Sequence, residues 1–395
     1  MPVPSPQRVG LNAALLSLAP DYRAAGIHRY ILSLLRGLSE LEAVRVVAFT
    51  AEPRARQVLP PSIAVRPAPR WARGPKGRIV WEQTLLPCAL ARAGADVCHC
   101  PAYALPLAAR VPVVVTVHDL SFFRLPETLP RAQAFYLRAA TRVSARRAAA
   151  LIAVSAFTAR ELREVLGVPG ERIHVVPNGL EPDARRPSDD RVAAYRQRAQ
   201  LPPEYVLAVG TLQPRKNLDV VLRAYGQLAA RGVDAPPLLV AGAPGWGDTD
   251  VAAAAERHGV GRLVRLLGYV PPADLPPLYA AATALAYPSR YEGFGLPVLE
   301  AMACGTPVIA AQAASLPEVA GDAALLVAPD DAAAWADALS RLLLSPALRA
   351  ACAAAGLRRS DAFTWHRTAV ATAAVYGAAL AGPRTRPALG PDGRG

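Results

Sequence analysis

Lysine is almost missing from this sequence: of 44 cationic residues only Lys76 and Lys216 are Lys, and the rest are Arg. A net charge of +13 is therefore carried on planar guanidinium groups, which suit phosphorylated ligands, nucleic acid or anionic lipid. Against that background a Lys inside a motif stands out. Cysteine is scarce and odd in number: Cys88, Cys98, Cys100, Cys304 and Cys352. Cys98-His99-Cys100 invites a metal reading, but no second ligand pair follows at zinc spacing. The alternative is a strand whose two Cys face inward as small apolar side chains. Long apolar runs are missing too. The longest candidate, Ala148–Val154, falls far short of the roughly 18–20 residues of a membrane span and is flanked by Arg146 and Arg147. The start, Met1-Pro2-Val3-Pro4-Ser5-Pro6, lacks the charged and apolar stretches of a signal peptide. The expectation is a cytoplasmic chain with reduced thiols, at most peripheral on the inner face of the cell membrane.

What is present is a large apolar fraction, 52% of 395 residues, which supports packed cores and more than one domain. Short continuous apolar segments alternate with helix-like stretches in two series. The first comprises Arg8–Leu11, Arg45–Phe49, Val97–His99, Val111–His118, Ala150–Ser155 and Ile173–Pro177. The second comprises Tyr205–Gly210, Pro237–Gly242, Val264–Gly268, Ala284–Pro288, Pro307–Ala311 and Ala324–Ala328. Runs without polar alternation indicate parallel strands buried on both faces. Two series predict two doubly wound α/β domains, over residues 1–187 and 188–365. Glu181–Pro203 reads as their connection, with a helix at Asp190–Ala199. Residues 382–395 read as a disordered tail. In such sheets ligands bind beyond the carboxyl ends of the strands.

The segment richest in chemistry runs from Pro288 to Pro307, PSRYEGFGLPVLEAMACGTP. A strand ends, a glycine-containing loop follows, and Pro297 fits the first turn of a helix. Free amides at a helix start suit a diphosphate. Glu292 and Glu300, eight positions apart, can each accept paired hydrogen bonds from sugar hydroxyls. A plainer role for Glu300 is to complement the helix dipole. Arg215-Lys216 follows the strand Val206–Gly210, where fixed cations can stabilise charge on a leaving phosphate. His118-Asp119 ends another strand, and Gly26 begins a helix.

This pattern resembles the E-x7-E signature of the family-4 retaining glycosyltransferases, over residues 8 to 380. Further matches lie at Val111–Asp119, Ala153–Val165, Val175–Leu180, Val209–Leu218, Leu267–Tyr279 and Ser315–Ala323. Within the family the chain looks closest to bacterial mannosyltransferases of surface-polysaccharide assembly. The resemblance implies a GT-B fold, two Rossmann-like domains facing a central cleft. The first would take the acceptor and the second the nucleotide-sugar donor, with a helix of about 366–381 packing back on the first. It assigns His118, Glu292 and Lys216 to catalysis. It assigns Gly26, Arg215, Lys216, Glu292, Gly293, Phe294, Gly295, Leu296 and Glu300 to the donor, with Glu292 on the sugar and Glu300 on the ribose. Arg29 is expected to meet the acceptor, and Glu318 resembles a position near the nucleotide. Relatives often carry an Arg where this chain has Thr211, so Arg215 is expected to take over. No metal or other cofactor is implied, and the donor is a nucleotide-diphosphate sugar, GDP-mannose first. Asp248-Thr249-Asp250 looks like the metal triplet of a different fold, but a helix cap before an Ala-rich stretch fits it better. Ser155 reads as an N-cap and Asn178-Gly179 as a turn at the domain edge.

Arg131–Ala149 reads as a helix with Arg131, Phe135, Arg138, Arg142 and Arg146 near one face. Such a face suits an anionic membrane carrying a lipid-linked acceptor, and it equally suits water in an Arg-rich protein. Arg70–Arg78, with Trp71, belongs to the same acceptor side or to a surface loop. Two other functions compete with a retaining hexosyltransferase: a sugar-nucleotide epimerase on the same fold, and a non-catalytic basic binder. No nucleic-acid motif is present, and no nucleic-acid partner is expected.

Overall fold

The computed structural model describes residues 6–18, 26–126, 129–245 and 250–382. Two parallel sheets organise them. The first contains β1 (Gln7–Asn12), β2 (Val44–Thr50), β3 (Ala64–Pro67), β4 (Val97–Cys100), β5 (Val113–Val117), β6 (Ala150–Ala153) and β7 (Ile173–Val175). Its order is β3-β2-β1-β4-β5-β6-β7. The second contains β8 (Val206–Val209), β9 (Leu238–Ala241), β10 (Val264–Gly268), β11 (Ala284–Tyr287), β12 (Val308–Ala311) and β13 (Leu325–Val327). Its order is β10-β9-β8-β11-β12-β13.

The central strands VVVTV, ALIA, LLVA, ALAY and VIAA are buried at every position. Helices cover both faces of each sheet, so these strands carry continuous apolar runs. Each expected strand has its counterpart. β3 was not expected: it is a largely exposed edge strand, Ala-Val-Arg-Pro, with neither an apolar run nor an alternation to mark it. Each sheet reverses its winding once, between β1 and β4 and between β8 and β11. The loops leaving those strands form the crevices where ligands of such sheets bind.

β4 settles the Cys-His-Cys question. Cys98 and Cys100 are buried together on one face of the strand, among Phe49, Val115 and Leu151. His99 points the other way, with Nδ1 2.7 Å from the Tyr376 hydroxyl and Nε2 2.9 Å from Thr116 Oγ1. The three side chains therefore do not converge on one point.

The chain passes between the sheets twice. Outbound, it leaves β7 through Leu180 and forms the helix Asp189–Arg198, which packs against the helix Leu275–Ala280 of the second unit. It returns at Thr364 and ends its described course in the helix Trp365–Ala381, which packs on Ile27–Ser39 beside the first sheet. The two passages touch: Leu180 N–H donates to the Phe363 carbonyl at 3.1 Å. A Cβ on Gly179 would fall 2.3 Å from the Trp365 nitrogen, so the outgoing turn tolerates no side chain there. Among the described residues no single helix is long and apolar enough to cross a membrane. Most of the expected tail, from residue 383 on, lies outside the described residues, as do Asp248 and Thr249.

Candidate active site

Two loops of the second sheet meet at its reversal point. The loop after β8 makes a 3-10 turn, Pro214–Lys216, and presents Arg215 and Lys216. The loop after β11 runs into the helix Leu296–Ala303, with Pro at its start. Arg290 N–H donates to the Arg215 carbonyl at 2.9 Å, which joins the two loops backbone to backbone.

At their junction the Glu292 carboxylate is buried among donors. Its Oε1 accepts from Lys216 Nζ at 2.6 Å, Ser289 Oγ at 2.7 Å and Tyr287 OH at 2.9 Å. Its Oε2 lies 3.1 Å from Arg215 Nη1. Burial alone would raise this carboxyl, but Arg215 and Lys216 outweigh it and hold Glu292 well below the usual range. Desolvation lowers Lys216, partly opposed by Glu292. Arg215 is raised by Glu292 and Asp119 against its own burial. Two cations thus share the Glu292 carboxylate beside a helix start, with the Asp119 carboxylate acting on both from the other wall. That arrangement suits an anionic oxygen. Arg215 stands in this cluster, where the sequence expected it to compensate for Thr211.

Glu300 lies one turn into the helix and is buried. Its Oε2 accepts from Tyr279 OH at 3.1 Å, and its Oε1 accepts from Arg29 Nη2 at 3.2 Å. Arg29 is therefore turned onto Glu300 across the cleft, not outward to an acceptor. Gly26 precedes it at the start of Ile27–Ser39, and open space surrounds the position where a Cβ would stand. Glycine at 26 is thus not required by packing.

The remaining loop residues divide. Gly293 leans on the first unit so closely that a Cβ would sit 1.7 Å from the His118 carbonyl oxygen. Its own carbonyl accepts from Thr158 Oγ1 at 3.3 Å. Phe294 does not face the cleft: it is buried and meets Phe363 edge to face at 5.9 Å. Gly295 takes φ +108° at the helix start, and Leu296 is half-buried against the core. Ser315 Oγ fixes the loop through the carbonyls of Glu292 and Phe294, at 2.9 and 2.7 Å. The Phe294 side chain, expected among the donor residues, is thus taken up by packing on Phe363.

His118 ends β5 on the opposite wall. Its Nε2 lies 2.8 Å from the Pro101 carbonyl, and its ring packs edge to face on Tyr30 at 4.7 Å. Burial lowers it, which favours a neutral imidazole. An Nε2–H donated to that carbonyl leaves Nδ1 as the acceptor nitrogen.

Several polar partners escaped sequence reasoning. Tyr287, inside an expected strand, and Tyr279 were not singled out by the sequence, yet their hydroxyls hold the two glutamates. Glu318, which resembles a family position near the nucleotide, accepts instead from the amides of Ala156 and Phe157 at 2.8 and 3.2 Å. It thereby caps the helix Ala156–Leu166 of the other unit, beside the N-cap Ser155. Asp250 caps Val251–Arg257 through Ala253 N–H, as expected of that triplet. On the helix Arg131–Arg147, Phe135 is 75% exposed. Arg138 is turned inward, donating to the Phe122 carbonyl at 2.6 Å, and Arg142 lies over the Phe123 ring at 4.8 Å. The basic face is narrower than the sequence suggested.

Comparison with known proteins identifies the family and the fold. The model of "Glycosyl transferases group 1" matches residues 193–359, and that of "Glycosyltransferase Family 4" matches residues 24–184. The chain is 36% identical over 264 residues to the O-antigen chain mannosyltransferase B of Escherichia coli, covering 67% of this chain and 69% of that one. The sucrose-phosphate synthase of Thermosynechococcus elongatus superposes with a TM-score of 0.73 at 24% identity, over 94% of this chain and 98% of that one. HepE of Anabaena, solved in complex with UDP and glucose, superposes with a TM-score of 0.71 at 20% identity, over 94% and 99%. The two structures share the fold, and the Escherichia coli enzyme is related in sequence. The chain belongs to the family-4 glycosyltransferases, transferase enzymes of GT-B fold that include bacterial mannosyltransferases.

Proposed function

We propose that this enzyme transfers a hexose, mannose from GDP-mannose first, to a glycan or lipid-linked acceptor, with retention at the anomeric carbon. Family membership already sets aside the non-catalytic reading and, as a transferase, the epimerase. The observation that carries the proposal is the buried cluster of Glu292 with Lys216 and Arg215, at the reversal point of the second sheet and opposite His118. In this reading residues 188–365 hold the donor and residues 1–187 receive the acceptor. Lys216 and Arg215 take the diphosphate, with the Gly26 amide approaching from the other wall. The backbone of Gly293 to Leu296 lies along the donor. Glu292 reads sugar hydroxyls, and Glu300 exchanges Arg29 for the ribose, which frees Arg29 toward the acceptor.

Transfer breaks the bond from the sugar C1 to the phosphate oxygen and forms one to the acceptor hydroxyl on the same face. The hydroxyl proton passes to the leaving phosphate, and the fixed cations stabilise the charge that develops there. His118 Nδ1, as acceptor, orients a hydroxyl of the sugar. No metal is assigned a step. The acceptor is proposed to reach the cleft from an anionic membrane on the cytoplasmic side, along the wall that carries Phe135, Arg131 and Arg146. Arg138 and Arg142 take part only after release from the Phe122–Phe123 segment. A role in surface polysaccharide or glycolipid assembly follows from that acceptor class.

A donor screen tests the reading. Thermal shift and slow hydrolysis are followed with GDP-mannose, UDP-glucose, UDP-galactose, UDP-GlcNAc and dTDP-rhamnose. GDP-mannose is expected to stabilise and be consumed, with NMR of the product showing the retained anomer. Consumption of another donor corrects the sugar, and an inverted product overturns the mechanism.

A further inference from the structure

We infer that Tyr291, one residue before Glu292, is a positioning residue that sets the distance between the two walls of the cleft. The inference deepens the reading of this cleft as a glycosyl-transfer site and rests on it for its kinetic consequence.

Tyr291 is buried, although its loop belongs to the second unit. Its ring packs edge to face on Phe157 of the first unit at 5.5 Å. Its hydroxyl accepts from Leu120 N–H at 3.0 Å and donates to the Glu161 carboxylate. Glu161 is itself buried and is held from its other oxygen by Arg124 Nε at 2.7 Å. Burial and the nearby Asp119 raise the phenol, so it remains a proton donor throughout the neutral range.

Leu120 comes two residues after His118 on the turn that closes β5. Asp119 shapes that turn by accepting from Ser121 N–H at 2.9 Å. One phenol therefore joins the backbone two residues beyond His118 to the residue before Glu292. These are the two groups proposed to face the transferred sugar from opposite sides. The neighbouring contacts point the same way: Gly293 lies flush on the His118 carbonyl, and Thr158 holds the Gly293 carbonyl. The first rests on backbone and shape, and the second on the Thr158 hydroxyl. Tyr291 supplies a side chain whose hydroxyl can be removed without changing the packing. The loop that bears the donor carboxylate is thus docked against the acceptor wall, and sub-ångström errors in that docking reach the reacting centre.

The test is Tyr291→Phe in the full chain, with Glu161→Gln as a second variant that keeps side-chain shape. The wild type and both variants are compared in transfer kinetics at 20 °C and in small-angle scattering without donor. Tyr291→Phe is expected to lower kcat about tenfold to a hundredfold with donor KM within about twofold. It is also expected to increase the radius of gyration through a larger open population. Glu161→Gln should move both in the same direction and less. A merely structural role would lower the unfolding temperature while leaving kcat and scattering at 20 °C unchanged, and that result overturns the inference. Equal losses in kcat and donor affinity also overturn it, because they place the phenol in the donor pocket. If the wild type turns over no donor, the transfer reading fails, and scattering alone decides whether Tyr291 holds the walls together.

Discussion

Arg29 and Glu300 stand 271 positions apart in the chain, yet Arg29 Nη2 donates to Glu300 Oε1 at 3.2 Å across the cleft. The carboxylate proposed for the ribose is thus occupied by a guanidinium from the opposite wall. A nucleotide that engages Glu300 must displace or share this contact. Glu300→Ala is expected to abolish the thermal stabilisation given by the donor, whereas Arg29→Ala retains it. Thermal-shift titration of both variants with GDP-mannose checks this. Loss of stabilisation in Arg29→Ala, with Glu300→Ala unaffected, would reverse the assignment.

Lys216 is the more exacting of the two cations, because its ammonium reaches Glu292 at 2.6 Å and Tyr287 at 2.8 Å in a buried pocket. Lys216→Ala should lower kcat about 10²–10³-fold, or ~3–4 kcal/mol of transition-state stabilisation. Arg215→Ala should cost less, since Lys216 remains against the carboxylate. Steady-state transfer kinetics decide it. A Lys216→Ala enzyme within about threefold of wild type would remove Lys216 from the mechanism.

Stability should depend on His99 in mild acid. Burial, with the nearby His118, lowers its pKa from 6.5 to about 3. The unfolded chain therefore takes up a proton that the folded chain refuses. The stabilisation is complete above pH 6.5, falls as the pH drops, and is fully lost below about 3. The loss is on the order of 4–5 kcal/mol. Unfolding midpoints between pH 4 and 8 should fall more steeply in wild type than in His99→Gln, which keeps a donor and an acceptor. Parallel curves would place the acid sensitivity elsewhere.

Phe135 and Arg138 lie on one helix face but have different surroundings. Phe135 projects into solvent, whereas Arg138 holds the Phe122 carbonyl. Phe135→Ala should weaken partition to phosphatidylglycerol vesicles about tenfold with no change in unfolding temperature. Arg138→Ala should lower the unfolding temperature, with a smaller effect on partition. Cosedimentation and thermal denaturation separate the two. Equal vesicle binding by wild type and Phe135→Ala would leave this helix as an ordinary solvated face.

Much of the fold was legible because a strand buried on both faces must be apolar throughout, and Val113–Val117 or Leu238–Ala241 can hardly be read otherwise. β3 was not, because an exposed edge strand ending in Pro lacks that signal. The loop geometry of Glu292 and Lys216 was legible for a related reason: the chemistry lies immediately after strands whose ends could be read. The contacts between the two walls were not. Arg29 with Glu300, Tyr291 with Leu120 and Glu318 with the helix at Ala156 depend on how the units built on the two sheets meet, and no local periodicity encodes that. Tyr287 and Tyr279 were hidden differently, since an aromatic ring in a strand or helix satisfies the core while its hydroxyl serves the site.

The paired passages at Leu180 and Thr364 have a mechanical consequence. A single strand joining two bodies would let them swivel around it as well as bend. Two strands hydrogen-bonded side by side, with Gly179 flush against Trp365, suppress the swivel and leave one axis of rotation. Any relative motion of the two units would then be confined to that axis, which constrains where the turn after β5 can meet the loop that carries Glu292.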